Sequence, residues 1–182
     1  VQIDTLIAKH EKKRAREANE RYTPEQVGVN YSRWWADAAP RIRDVRPEAL
    51  LVTGANAYHA AGRWRGFFRG MVETGIDADA IGVHAYGEWD ESRRLVAEAR
   101  QIVAGAAPLW LTETGALPGS HWTPEYHARA WRSIIEGNEQ ERLAERVYLY
   151  ALETDPNDPW HGVREPDGSD RPVLRWLRER GG

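Results

Sequence analysis

The stretch AIGVHAYGEWDESRRLVAEARQIVAGAAPLWLTETG, residues 80–115, decides the fold. Its two ends, AIGVHAYG (80–87) and PLWLTETG (108–115), are short apolar runs closing on glycine, as strands buried on both faces are. Between them, ESRRLVAEARQIVAG sets Leu95, Val96, Ala99, Ile102 and Val103 along one side of a helix. Strand, helix and strand in about 30 residues make one βαβ unit, so the two strands are expected to be parallel.

The same alternation extends in both directions. ALLVTGA (49–55) and RVYLYALET (146–154) read as two further buried strands. TPEYHARAWRSIIEG (123–137) reads as a helix stopping at Gly137, and RPVLRWLRERGG (171–182) as a short closing one. Ahead of the strands, YTPEQVGVNYSRWWADAAPRIRDV (22–45) opens with Thr23 as N-cap, Pro24 at the first helical position and Gln26 completing a capping box. Its apolar stripe, Val27, Tyr31, Trp34, Trp35, Ala38, Ile42 and Val45, is expected to cover a sheet, with a kink at Pro40. The fold class is therefore α/β, built from parallel βα repeats. Residues 1–21 form a separate, charged amino-terminal helix facing solvent or a partner, and residues 22–182 form the domain.

Composition narrows the function. A formal net charge of -3 gives no basic field for nucleic acid or an anionic membrane, and no apolar run reaches the roughly 18 residues of a membrane span. Cysteine is absent, which removes disulfides and thiolate metal sites. The histidines lack metal-binding spacing, and no glycine-rich phosphate loop or G-x-S-x-G elbow occurs, so neither a metal nor an organic cofactor is expected. Nine tryptophans and seven tyrosines against two phenylalanines favour aromatic rings with a polar edge, suited to packing and to stacking on sugars. The chain begins at Val1 rather than Met, as a processed chain or a fragment would, and its first residues lack the order of a secretory signal. The compartment stays open, although secretion would suit a polysaccharide substrate.

In parallel α/β proteins the chemistry gathers at the carboxyl ends of the strands. Those ends carry Asn56, Tyr58 and His59, then His84, Tyr86, Glu88 and Trp89, then Glu113, and finally Glu153 and Asp155 with Trp160 and His161 in the following loop. His84 and Tyr86 alternate along one strand and so share a face. Carboxylates, histidines and aromatics on one rim describe a polar, sugar-sized cleft.

GVHAYG followed by LWLTETGA, then VYLYAL leading to HGVREPDGSDRPVLRWL, resembles the carboxyl-terminal half of the clan A glycoside hydrolases, the retaining β-glycosidases and endoglycanases on the (β/α)8, or TIM, barrel. The resemblance runs over about residues 22–180 and implies the second half of such a barrel. It implies that Glu113 is the catalytic nucleophile, steadied by His84 and Tyr86. For the acid/base it points to Glu20 of the Asn19-Glu20 pair, with Glu88 and Glu153 as further possibilities at strand mouths. Asn56, Glu88, Trp89, Glu153 and Trp160 are the other expected substrate-binding residues. A whole barrel takes about 250 residues, so a homo-oligomer or a second chain is expected to complete this one. The function implied is a retaining glycoside hydrolase, or the nucleophile-bearing part of one. The alternative is a non-catalytic carbohydrate-binding or assembly module on a truncated glycosidase scaffold.

Overall fold

The computed structural model describes residues 21–55, 62–117, 122–155 and 161–181. These fall into two compact units: residues 21–49 with 62–77, and residues 50–55 with 78–181. The expected amino-terminal helix lies, but for Arg21, outside the described residues.

The first unit is a helix pair. Helix α1 (Pro24–Val45) starts as its sequence dictates: the Gln26 amide donates to Thr23 Oγ1 (3.2 Å) and the Thr23 amide to Gln26 Oε1 (2.8 Å). It runs through Pro40 as one element and packs on α2 (Arg63–Glu73). Its buried stripe is Gly28, Ser32, Trp35 and Ala39, rotated from the expected one. Trp34 is 60% exposed and Val45 78%. Glycines cause the shift: a Cβ on Gly28 would stand 2.0 Å from the Phe67 carbonyl oxygen, and one on Gly70 2.0 Å from that of Glu25. The two backbones touch where side chains are missing, and the flanking large residues are turned outward. Trp35 seals the end of the pair, its indole N–H donating to the Asp77 carbonyl (2.6 Å).

The second unit contains a parallel sheet of β1 (Ile81–Tyr86), β2 (Leu109–Gly115) and β3 (Arg146–Val147), in that spatial order. Helices α3 (Trp89–Ile102), α4 (Pro124–Glu141) and α5 (Pro172–Gly181) follow β1, β2 and β3 respectively. The segment around Val52 adds itself outside β1 through a parallel bridge to Ala80. Chain order and sheet order thus agree across the described strands.

Two of the four expected strands are shorter than their apolar runs because side chains take over ladder positions. Thr53 Oγ1 accepts the Gly82 amide (3.1 Å) and the Asp79 carboxylate accepts the Leu51 amide (2.7 Å), which leaves ALLVTGA a bridge. Beyond β3 the Tyr148 amide still donates to Leu111 O (2.8 Å) and Tyr150 to Thr114 O (3.2 Å), but the Thr114 hydroxyl takes the Tyr148 carbonyl (2.9 Å). Leu152 then turns to the loop at Val163 and Arg164, whose amides donate to its carbonyl at 3.0 and 3.1 Å.

Helix α4 does not stop at Gly137 but continues to Glu141 and ends at Arg142 in the left-handed region. Gly137 is a packing residue: a Cβ there would lie 2.3 Å from the Trp89 ring. The core of this unit joins Val83, Val96 and Ala99 to Leu111, Trp131, Ile134 and Val173, all buried.

Candidate active site

Glu113 sits near the carboxyl end of β2, directly opposite His84 of β1. The pairing depends on a register shift between Val83 and His84. Val83 pairs with Leu111, so an unbroken ladder would set His84 against Thr112. The extra residue advances β2 by one and delivers the glutamate instead. Tyr86 donates its hydroxyl to Glu113 Oε2 (2.7 Å), and His84 Nδ1 lies 3.2 Å from the same oxygen. His84 is 17% and Glu113 32% exposed in their side chains, a half-buried pair at a strand mouth. Burial pushes the His84 pKa down, and the Glu113 carboxylate opposes that shift without reversing it. Near neutral pH the imidazole is thus uncharged, with Nδ1 facing the carboxylate.

An aromatic wall continues from Tyr86. Its ring centroid lies 5.6 Å from that of His161 and 6.3 Å from that of Tyr150, and the His161 and Tyr150 rings are 4.7 Å apart. Gly115 lets this wall close on the strand end, since a Cβ there would come within 3.3 Å of Tyr86 Cε1, His161 Nδ1 and Trp131 Nε1. Tyr150 was not among the residues expected at the site, and His161 was expected on the rim but given no binding role. The alternation of Tyr148 and Tyr150 in VYLYAL marked a shared face, whereas His161, in a loop, carried no periodic signal.

The remaining expected residues are dispersed. Glu88 precedes α3 and pairs with Arg129 at 2.8 Å. Trp89, expected on the rim, is instead buried between helices: its indole N–H donates to Glu141 Oε1 (3.0 Å) and its ring fills the space over Gly137. It offers no open face. Glu153 is exposed and bridges to Arg164 through the backbone. Glu20, Asn56 and Trp160 lie outside the described residues. Among the described residues no group of His, Asp and Glu could hold a metal ion, and no helix is long and apolar enough to cross a membrane. A cavity of 830 Å³ opens at the opposite, amino-terminal end of β2, and three of its polar side chains are engaged locally: Arg100 with Arg142 O (2.6 Å), Asn138 with Ala144, Glu145 with the Trp110 indole.

The chain is similar in structure to several glycoside hydrolases of the TIM-barrel fold. A GH128 (subgroup VI) exo-β-1,3-glucanase from Aureobasidium namibiae superposes with a TM-score of 0.62 at 16% identity, over 86% of this chain and 61% of that one. A GH128 (subgroup I) endo-β-1,3-glucanase from Amycolatopsis mediterranei gives 0.55 at 19% identity, over 81% and 64%. A β-D-glucuronidase from Dictyoglomus thermophilum gives 0.57 at 15% identity, over 82% and 28%. The chain therefore spans less than two thirds of the length of each. No family model and no curated protein matches the sequence. The fold is α/β and similar to part of these TIM-barrel structures, and at these identities the likeness extends to the fold alone.

Proposed function

We propose that this chain is the nucleophile-bearing part of a retaining glycoside hydrolase, with a β-glucan as the substrate class. The observation that carries the reading is the convergence of Tyr86 and a neutral His84 on one oxygen of Glu113 at a strand end. In the reaction a Glu113 carboxylate oxygen forms a bond to the anomeric carbon as the bond to the leaving oxygen breaks, and a second carboxyl group protonates that oxygen. Water, deprotonated by the same second group, then cleaves the glycosyl ester and restores the carboxylate. Tyr86 and His84 hold the nucleophile in one rotamer and stay with it as its charge is consumed and regenerated. Glu20 is the proposed acid/base, with Glu88 and Glu153 as further candidates; the surface pairing of Glu88 with Arg129 would have to be given up at a cost of no more than about 1 kcal/mol. The exo- and endo-β-1,3-glucanase activities of two structural neighbours suggest β-1,3-glucan as the first polymer to try.

The outer strand leaves Tyr148 and Leu152 exposed, and further chain or a second copy is proposed to cover them and complete the barrel. The partial span of the neighbours favours one other reading, a carbohydrate-binding or assembly module without turnover. Release of reducing ends from a soluble β-1,3-glucan separates the two. The enzyme loses it in Glu113→Gln with its circular dichroism unchanged, whereas the module shows sugar affinity that the substitution leaves intact and no release in either form.

A further inference from the structure

Arg171, just ahead of α5, is 3% exposed. A guanidinium is tolerated there only if its donors are met, because it stays charged and its desolvation must be offset by well-aligned partners. It grips Glu165 with Nε at 2.8 Å and Nη2 at 3.0 Å, and its Nη1 donates to the carbonyls of His161 (3.1 Å) and Gly162 (3.4 Å). The Thr154 hydroxyl adds a second hold on the His161 carbonyl at 3.1 Å. At Gly162 the backbone has φ +90°, and a Cβ would meet the Thr154 nitrogen at 2.6 Å, so the loop closes only around glycine. The backbone of His161 is thereby fixed from two sides, and its ring stands 5.6 Å from that of Tyr86, the donor to Glu113.

We propose that Arg171 is a positioning residue of the Glu113 site, fixing the His161 carbonyl and so the imidazole that buttresses Tyr86. It acts through its neighbours and does not touch Glu113. What the site does rests on the glycosidase reading, but the positioning itself is separable from it.

The test is NMR of the chain labelled with ¹³C at histidine, tyrosine and valine, with His161→Gln and Tyr86→Phe assigning the two rings and Val96→Ala the reference methyls. In Arg171→Lys, which keeps the charge and loses the fork, the His161 and Tyr86 ring signals should move toward those of exposed side chains while the Val96 methyl signals of the helical layer stay in place. Trapping by a fluorinated glycoside should slow about 10- to 100-fold, the loss expected when a reacting group is slightly misplaced. Should Arg171→Lys fail to fold, Glu165→Gln, which loosens the same fork, must shift the same two signals. Unmoved Tyr86 signals in a folded variant, even one with a lowered denaturation midpoint, would reduce Arg171 to a loop anchor and overturn the proposal. Absence of trapping in the unaltered chain would count against the glycosidase reading alone, leaving the NMR comparison to decide the role of Arg171.

Discussion

Glu113 receives the Tyr86 hydroxyl and faces His84 Nδ1 through the same oxygen, Oε2. Anchoring by one oxygen fixes the rotation of a carboxylate. Removing the Tyr86 hydroxyl deletes a hydrogen bond to a charged acceptor, worth about 1.5–3 kcal/mol. Tyr86→Phe is accordingly expected to lower kcat on a β-glucan by about tenfold or more and to lower the denaturation midpoint by an amount in keeping with that lost bond; an unaltered kcat would detach Tyr86 from the chemistry. A second titratable residue concerns stability. His127 is fully buried beside Trp131, and burial, aided by Arg171 and His161, lowers its pKa from 6.5 to about 4. Between those values the unfolded chain takes up a proton that the native chain refuses, so stability falls as pH drops through that window. Above the window this group has no effect, and below it the loss levels off at about 3 kcal/mol. His84, lowered by burial too, acts in the same direction. The informative comparison is therefore His127→Leu, whose urea midpoint should fall less steeply from pH 6.5 to pH 4 than that of the unaltered chain. In the sequence, Glu113, His84 and Tyr86 stood out because strand ends and alternation place them. The burial of His127 could not be seen, since it depends on which helix face meets the sheet.

At the scale of elements, local chemistry set the helix starts and packing set the rest. Thr23 and Thr123 cap their helices as Thr-Pro-Glu predicts. The end of α4 and the buried face of α1 were misjudged for one reason: glycine reads as a stop or a gap in a pattern, but Gly137, Gly28 and Gly70 are close-approach positions. Gly70→Ala would push a methyl group into the Glu25 backbone, and Gly28→Ala one into that of Phe67. Each should destabilise by about 1–3 kcal/mol, read as a lowered urea midpoint, in spite of alanine's better helix propensity. A gain in stability would contradict the helix contact. The register shift in β1 was equally invisible, because a bulge changes pairing without changing composition.

At the scale of the molecule, the parallel sheet with helices following its strands was legible as βα repeats at even spacing. The extent of each strand was not, because Thr53, Asp79 and Thr114 satisfy backbone groups that a ladder would otherwise use. The exposed edge residues Tyr148 and Leu152 make a specific expectation about assembly. If a second copy covers them, light scattering should give a dimer mass that Leu152→Lys converts to monomer; a monomer from the outset would leave completion to further chain. The reading as a whole turns on whether Glu113 attacks an anomeric carbon. Intact-mass analysis and peptide mapping after exposure to a panel of fluorinated glycosides test this most directly. The account predicts one covalent glycosyl adduct, carried by Glu113 and missing in Glu113→Gln; a folded chain that acquires no adduct across the panel, or acquires it on another carboxylate, would contradict it.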